Sequence, residues 1–365
     1  MEPSDSFFRF QRTLIRKDIK LAHFQLRNVL ATPTRTQAFY PTSKGIRRLR
    51  LSSGEADLFL DLREPTFNDL TNSVSALDAS HGVLVGGTFG GEYYVQALSS
   101  QDPTSFSYGM ISKDAGGITN HMQIYNPRRS SSPVVAIMSN DCSMRLMDIK
   151  TEAILQTTKF PAALNCSAVS PDGRLRVVGG DHPIVLIIDA DGNRVVQKLR
   201  GHHDYVFACD WSDNGWTIAT GSQDMTLKIW DARRWSDSSG RGAPIQTIRS
   251  DLASARCLRF SPQGSGRPVL VAAEEADVVN IIDAKTFASK QTFTMFGEIG
   301  GVDFSDEGRK LSILCADDHR GGVIQLERLR SESNPLTSHD PWFKQFATGC
   351  PTMPTSFSEP MIEQR

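Results

Sequence analysis

The stretch that decides the fold runs from Gly201 to Arg233 and reads GHHDYVFACDWSDNGWTIATGSQDMTLKIWDAR. It contains three short runs rich in β-branched and aromatic residues, VFACDW, TIATGS and TLKIW, separated by the polar turns SDNG and QDM. Short runs of this composition between such turns are typical of antiparallel strands. The stretch therefore predicts three consecutive strands.

The same plan recurs along the chain. A Ser-initiated turn with Gly, a β-rich run, a tight polar turn, a second run and a closing Asp occur in Ser170–Asp189, Ser212–Asp231 and Ser261–Asp283. The closing aspartates, which follow one another at about 40 to 50 residues, are Asp148, Asp189, Asp231 and Asp283. A period of this size indicates a repeat architecture, and the widest spacing contains a Ser/Gly-rich insertion at Trp235–Pro244.

Composition excludes several classes of protein. The 365 residues are 39% hydrophobic and 22% charged with a net charge of −1, which is ordinary for a globular chain and argues against a general nucleic-acid binder. We expect no membrane span and no secretory signal, because apolar runs are short and the N-terminus MEPSDSFFRFQR has no apolar core. We expect a cytoplasmic or nuclear protein with six reduced cysteines, and no metal site because no CxxC pair occurs.

Basic residues are concentrated in the first fifty positions, where eleven Lys and Arg stand against three acids. One interpretation is a solvated basic face that docks on the acidic remainder of the chain. The other is a basic contact surface for a partner.

Gly201-His202 and Trp230-Asp231, with SDNG and TGSQD between them, resemble a WD repeat, the four-stranded blade of a β-propeller. The resemblance implies an all-β, seven-bladed β-propeller of four-stranded antiparallel blades over residues 21–330. The expected units are Gln25–Asp61, Asn68–Ser99, Gly116–Thr158, Ala162–Arg200, His202–Ile248, Leu252–Phe293 and Glu298–Leu329. Residues 1–20 form a basic and aromatic segment that could complete the ring, because an open blade edge leaves backbone groups unpaired.

Residues 331–365 form a Pro/Ser-rich tail that we expect to be partly disordered. Its DPWFKQF motif keeps Trp342, Phe343 and Phe346 together. The motif could clip the tail onto the propeller, which we favour, or serve as a linear motif.

In members of the resembled family, a Trp, a Ser or Thr, a His and an Asp form a buried hydrogen-bonded chain. Trp230, Thr220, His202 and Asp224 match those positions here. A hydroxyl, imidazole and carboxylate could also form a hydrolytic triad. The structural role is favoured, because the blade pattern places the hydroxyl inside a strand beneath an indole. For Cys166, Cys209 and Cys257, which fall in the first strands of successive blades, we likewise expect core packing.

Phosphate-loop, dinucleotide, HExxH and GxSxG motifs are absent from the sequence. We therefore predict a protein that is not an enzyme and has no cofactor. The alternative is an enzyme whose site lies in the central channel of the propeller, where facing loops could gather acids and histidines.

Trp230-Asp231-Ala232-Arg233 matches the WD box ending in Arg that many WD-repeat substrate receptors of cullin-RING ubiquitin ligases carry. In those proteins the damaged-DNA-binding adaptor reads the box. The resemblance makes Trp230, Asp231 and Arg233 candidates for adaptor binding, since Arg offers a planar charged fork at interfaces. Arg234 and Trp235 could enlarge the patch. The other interpretation is that Arg follows WD by chance.

Residues that lead into the first strand of each blade gather on one face of a propeller. The candidates for a partner-binding face are Asn72, Asn120, Asn165, Tyr205, Phe207 and Arg256. The three asparagines could equally bond their own loops as Asx-turns.

Runs from NDCSMRLMDIK to FGEIGGVDFS resemble one group of WD-repeat proteins in fungi and plants, part of which is described only as a domain of unknown function. The resemblance covers about residues 60 to 330. It implies a non-catalytic protein-interaction scaffold with protein partners, in its sharpest form a cullin-RING substrate receptor.

Overall fold

The regular structure of this chain consists of strands. The computed structural model describes residues 6–62, 73–114, 116–130, 132–235 and 243–329. Within these ranges the chain forms 27 strands and no helix. The part of the chain that the structure describes therefore has no helix long and apolar enough to cross a membrane.

Five four-stranded antiparallel sheets each use four consecutive strands and form blades 1 to 5. Blade 1 contains β2 (Ala31–Thr34), β3 (Gln37–Thr42), β4 (Gly45–Arg50) and β5 (Ala56–Asp61). Blade 2 contains β6 (Val74–Ser80), β7 (Val83–Thr88), β8 (Glu92–Ala97) and β9 (Ser107–Met110). Blade 3 contains β10 (Thr119–Tyr125), β11 (Val134–Ser139), β12 (Ser143–Asp148) and β13 (Ile154–Lys159). Blade 4 contains β14 (Leu164–Val169), β15 (Leu175–Gly180), β16 (His182–Asp189) and β17 (Val195–Leu199). Blade 5 contains β18 (Val206–Trp211), β19 (Thr217–Ser222), β20 (Thr226–Asp231) and β21 (Gln246–Arg249).

The last two blades share one long strand. Their strands are β22 (Ala255–Phe260), β23 (Val269–Glu274), β24 (Ala276–Asp283), β25 (Lys290–Ser305), β26 (Lys310–Ala316), β27 (Gly322–Arg328) and the N-terminal β1 (Phe8–Ile15). The first part of β25 pairs with β24 and its second part with β26, so β25 is the outer strand of blade 6 and the inner strand of blade 7. β1 pairs antiparallel with β27. The described strands thus form seven four-stranded blades.

The blades close into a ring. Each inner strand contacts the inner strand of the next blade, and the second part of β25 contacts β2. Seven apolar clusters in the described chain each lie between two adjacent blades; Leu314 of blade 7, for example, packs with Tyr40 and Leu49 of blade 1. Burying one such side chain contributes about 1.5 to 3 kcal/mol. The core is therefore distributed around the ring instead of occupying one centre.

Burial explains the apolar pattern of the strands. The middle strands β11, β19 and β23 are buried along their whole length, because neighbouring blades cover both faces. The outer strand β13 is largely exposed. Runs such as VVAIMS therefore contain few charges, whereas outer strands tolerate polar residues.

The closing aspartates of the repeat shape the turn that follows the third strand of a blade. Asp148 Oδ1 accepts the backbone N–H of Thr151 over 2.8 Å, and Asp189 Oδ1 accepts that of Gly192 over 2.8 Å. Asp283 Oδ1 accepts the N–H of Lys285 over 2.7 Å. The repeated Asp is thus a device of local turn chemistry.

The N-terminal strand is anchored by apolar and polar contacts. Phe8 is 1% exposed in the cluster between blades 6 and 7, and its ring centre lies 6.2 Å from that of Phe304. Its backbone N–H donates to Gln291 Oε1 over 2.9 Å. Arg9 Nη2 lies 2.7 Å from Glu327 Oε2 on the neighbouring strand. Part of the basic N-terminal charge is therefore paired within the propeller.

Blade 2 extends further than the sequence pattern indicates. The expected unit ends at Ser99, whereas the outer strand β9 runs to Met110. The loop before β9 is a polar turn in which Asp102 Oδ1 accepts the N–H of Thr104 over 2.9 Å. The short, partly exposed strand SYGM has little apolar alternation, so sequence periodicity does not reveal it.

Candidate functional site

Blade 5 contains the hydrogen-bonded chain that the WD repeat implies. Trp230 Nε1 donates to Thr220 Oγ1 over 2.9 Å. His202 Nε2 lies 2.8 Å from the same hydroxyl, and His202 Nδ1 lies 3.0 Å from Asp224 Oδ2. The structure therefore brings together Trp230, Thr220, His202 and Asp224 across β19, β20 and the loop before β18.

One assignment of the hydrogen atoms accounts for all three hydrogen bonds of this chain. The indole can only donate, so the Thr220 hydroxyl is free to donate to a neutral His202, whose Nδ1–H then donates to Asp224. Burial lowers the pKa of His202, which keeps the imidazole neutral near pH 7. Burial raises the pKa of Asp224, but hydrogen bonds led by that of Thr226 outweigh it and hold the pKa below its usual range.

The geometry of this hydrogen-bonded chain favours a structural role over a hydrolytic one. Thr220 is 0% exposed, and the Trp230 indole covers its hydroxyl. A nucleophile needs an accessible oxygen next to a substrate carbonyl. The chain instead fixes the loop of His202 onto the strands of blade 5.

The WD box contains an exposed arginine, Arg233, whose guanidinium group is held by Asp231 of the same box. Arg233 Nε and Nη2 donate to the two carboxylate oxygens of Asp231 over 2.9 and 2.7 Å. The guanidinium carbon lies 4.9 Å from the centre of the Trp216 ring. Trp216 and Ile245 are 43% and 56% exposed beside it. Trp235, which could have enlarged this patch, packs against the core between blades 4 and 5. The aromatic ring beside Arg233 is that of Trp216.

A groove adjoins this arginine between blades 5 and 6. Its volume is about 540 Å³, and its walls include Trp216, Arg233, Ile245, Pro262 and Phe287. Apolar and aromatic side chains beside an exposed guanidinium are the composition of interface anchors.

The second residue of each inner strand in blades 2 to 7 lies at a β-bulge, where the inner part of β25 is counted from Ile299. These residues are Ser75, Asn120, Asn165, Phe207, Arg256 and Gly300. A bulge adds one unpaired residue and redirects its side chain. Asn120, Asn165, Phe207 and Arg256 line one cavity where the inner strands of blades 3 to 6 meet, which we call the channel. We call these four residues the channel mouth.

The two described asparagines join neighbouring blades. Asn120 Nδ2 donates to the Leu164 carbonyl over 2.9 Å, and Asn165 Nδ2 donates to the Val206 carbonyl over 3.3 Å. Both side chains are buried. Both amides thus reach the backbone of the next blade, and Asn165 Nδ2 also donates to Asp181 Oδ1 of its own blade over 2.8 Å. Asn72, the third asparagine of the set, lies outside the described residues.

Phe207 and Arg256 form one stacked unit at the channel mouth. The Arg256 guanidinium carbon lies 4.3 Å from the centre of the Phe207 ring. Its Nη2 lies 3.1 Å from Glu275 Oε2. Tyr205 is 44% exposed on the loop that leads into β18, so it offers the accessible surface of this group.

A set of residues that motif analysis misses joins the blades further along the inner strands. The fifth residue of these strands accepts a backbone N–H of the next blade: Asp78 from Ile124, Gln123 from Val169, Asp210 from Phe260 and Asp303 from Thr32. We call Asp78, Gln123, Asp210 and Asp303 the interblade acceptors. Their common register in VSALDAS, TNHMQIY, VFACDW and GVDFS is the signal that could have found them.

Arg259 occupies the register of the interblade acceptors in blade 6 and donates to Asn28 Oδ1 over 2.8 Å. The negative charges of Asp210, Asp303 and Asp78 favour its protonated form. Burial raises the pKa of Asp78 and of Asp210 to about 6. Each carboxylate also accepts a backbone N–H, which gives it a structural role. No group of His, Cys, Asp and Glu within the described ranges could hold a metal ion.

Two family models match parts of the chain. Residues 193–231 match the WD domain, G-beta repeat, and residues 253–293 match an uncharacterised protein domain, DUF2415. The first segment contains the outer strand of blade 4 and the first three strands of blade 5, and the second segment contains β22 to β24 and the start of β25 in blade 6.

Known structures share the whole fold. The WD40 β-propeller domain of Doa1 superposes with a TM-score of 0.69 at 13% identity, covering 89% of this chain and 98% of that one. A chain of the mitotic checkpoint complex gives a TM-score of 0.69 at 17% identity, covering 90% of this chain and 95% of that one. The chain therefore has the β-propeller fold, and one of its repeats matches the WD domain, G-beta repeat.

Curated relatives match about half of the chain. Uncharacterized protein C4G3.03 of Schizosaccharomyces pombe is 27% identical over 54% of this chain and 60% of its own length. The U3 small nucleolar RNA-associated protein 15 homolog of Xenopus tropicalis is 28% identical over 51% of this chain and 36% of its own. Guanine nucleotide-binding protein subunit beta-1 of Nicotiana tabacum is 28% identical over 53% and 51%. The chain thus spans less than two thirds of each of these relatives.

Proposed function

We propose that this chain is a non-catalytic scaffold that binds protein partners on the faces of its propeller. The supporting observation is how its reactive side chains are used. His202, Thr220 and Asp224 bond one another inside blade 5, whereas Tyr205 and Arg233 are exposed. Groups that could perform chemistry join the loop of His202 to the strands of blade 5, and groups typical of interfaces are exposed.

The sharpest form of the proposal is a substrate receptor of a cullin-RING ubiquitin ligase. Arg233, supported by the Trp216 ring beside the groove between blades 5 and 6, is the residue that we assign to the adaptor. Asp231 holds the guanidinium by two hydrogen bonds, which fixes its orientation before binding.

The test is co-purification of the damaged-DNA-binding adaptor with the tagged full-length chain. We expect Arg233→Ala to lose the adaptor. Arg174→Ala is the matched control, because this exposed arginine lies in blade 4 and outside the WD box, and it should retain the adaptor. Equal recovery of the adaptor with both variants would contradict the receptor proposal. The broader scaffold proposal is tested separately, by proximity labelling with the same chain to identify its protein partners.

We also propose that the chain works at least partly in the nucleus. Relatives named as U3 small nucleolar RNA-associated proteins in Xenopus tropicalis and Saccharomyces cerevisiae support this location. Imaging of the tagged chain at its native expression level tests it, and exclusion from the nucleus would contradict it.

A further inference from the structure

Arg27 is a buried cation with unused donors. Its side chain is 1% exposed, and the segment Gln25–Asn28 that carries it lines the channel together with the inner strands of blades 3 to 6. Nη1 lies 3.2 Å from Glu298 Oε2. Even so, Nε, Nη1 and Nη2 have no hydrogen-bond acceptor within the described part of the chain. Burying a charged group with unpaired donors costs free energy, so such a group is expected to meet a ligand or solvent.

Arg256 adds a second fork at the same place. Its side chain is 4% exposed, and Nη1 has no acceptor among the described residues although Nη2 reaches Glu275. Arg27 and Arg256 line the same small cavity beside the inner strands of blades 3 to 6. Two guanidinium groups with unpaired N–H donors therefore lie at one cavity.

The nearby acids leave these donors available. Glu275 and Glu298, which meet Arg256 and Arg27, have side chains 32% and 54% exposed. Water therefore screens part of the charge of each carboxylate, and neither acid accepts a hydrogen bond from Arg27 Nε, Arg27 Nη2 or Arg256 Nη1. The two buried guanidinium groups therefore keep unpaired N–H donors, and part of their positive charge stays uncompensated and available to another anion.

The surroundings of the channel mouth suit a peptide. The loops that lead into β2, β18 and β22 carry Phe24, Tyr205 and Leu252, which are 57%, 44% and 66% exposed. Exposed aromatic and aliphatic side chains around charged donors resemble the composition of an interface.

Resting on the proposed scaffold function, we propose that the channel mouth binds an acidic peptide segment of a protein partner, with one Asp or Glu carboxylate on Arg27 and Arg256 and apolar neighbours on Phe24, Tyr205 and Leu252. The guanidinium forks match a planar carboxylate. The cavity beside them has a volume of about 20 Å³. This is enough for about one water-sized group, so it admits a carboxylate oxygen more readily than a tetrahedral phosphate.

The experiment selects binders from a phage library of random nonapeptides on the immobilised full-length protein. We expect enriched peptides to carry Asp or Glu at one fixed position with apolar neighbours. Replacing that acid by its amide, or Arg256 by Gln, should weaken binding roughly tenfold to a hundredfold, the scale of a charge-assisted hydrogen bond. Arg27→Gln should act in the same direction.

Arg174→Ala is the matched control, because it changes an exposed arginine in the turn between β14 and β15 that belongs to neither proposed surface, and it should leave peptide binding unchanged. Leu252→Ala is a second test that leaves the buried channel intact, and it should also weaken binding. No enrichment, enriched peptides without an acid, indifference to Arg256→Gln, or tighter binding of phosphoserine at the acidic position would each overturn the proposal. None of these results would alter the outcome for Arg233 and the adaptor, so the two proposals fail separately.

Discussion

The Asp210 carboxylate accepts the backbone N–H of Phe260 over 2.6 Å, and this bond crosses the boundary between blades 5 and 6. Blades in a propeller meet mainly through apolar side chains, which do not fix direction. A carboxylate bonded to one particular N–H sets the register of the two inner strands. The other interblade acceptors, Asp78, Gln123 and Asp303, provide the same bond at other boundaries.

Removing one interblade acceptor should weaken the whole ring. We expect Asp210→Ala to lower the free energy of unfolding by about 1 to 3 kcal/mol, because it leaves the Phe260 N–H unpaired and Arg259 with one acid fewer. Urea unfolding followed by fluorescence measures the change. Asp318→Ala alters an exposed acid and should cost far less; equal losses would show that Asp210 is not a structural acceptor.

The chain of hydrogen bonds in blade 5 makes a second prediction. His202→Ala should lower the free energy of unfolding by about 1 to 3 kcal/mol, since Thr220 and Asp224 lose a buried partner. His203 is exposed and follows directly in sequence, so His203→Ala is the matched control in a thermal melt. An unchanged melting temperature for His202→Ala would contradict the structural role.

Ring closure by the N-terminal strand can be tested with two phenylalanines of β1. Phe8 is 1% exposed and Phe10 is 59% exposed. We expect Phe8→Ala to cost about 3 to 5 kcal/mol, because it opens a cavity between blades 6 and 7, and to increase self-association through the loosened edge. Phe10→Ala should have a small effect. Calorimetry measures the loss of stability, and light scattering measures the self-association. Similar results for the two variants would show that Phe8 does not close the ring.

His121 predicts a pH dependence. Burial, followed by the nearby Arg259 and Arg176, lowers the pKa of His121 from 6.5 to about 3. Between these values the unfolded chain binds a proton that the native chain does not, so the stability contributed by neutral His121 is complete above pH 6.5 and is lost as the pH falls towards 3.

We therefore expect His121→Asn to lose less unfolding free energy than the wild type between pH 6.5 and 4, as measured by urea titrations at several pH values. His319 is exposed, and His319→Asn should keep the slope of the wild type. Parallel curves for all three proteins would show that His121 is not buried as a neutral group.

The sequence predicts the features that depend on local chemistry. The repeat follows from turn aspartates such as Asp189, and the Trp230 chain follows from one well-preserved repeat. Local sequence says less about contacts between blades. The alternatives for Asn120 and Asn165 were an Asx-turn or a ligand, whereas both amides donate to carbonyls of the next blade, whose position no local pattern reveals.

Arg27 shows the same limit more strongly. It lies before β2, in a basic segment that has no apolar periodicity. It lines the channel only because the closed ring brings this segment next to the inner strands of blades 3 to 6. The interblade acceptors vary between Asp and Gln, with Arg259 at the same register, so only strand alignment relates them.

Arg9 and Glu327, which face each other on β1 and β27, are 318 positions apart in sequence. During synthesis, β1 leaves the ribosome long before β27 and cannot pair with it until β27 has also been made. Such distant pairing makes folding slow and exposes unpaired strands meanwhile. A tag or cleavage site placed near Phe8 would therefore disturb the closure of the ring, which has to follow the synthesis of the other blades.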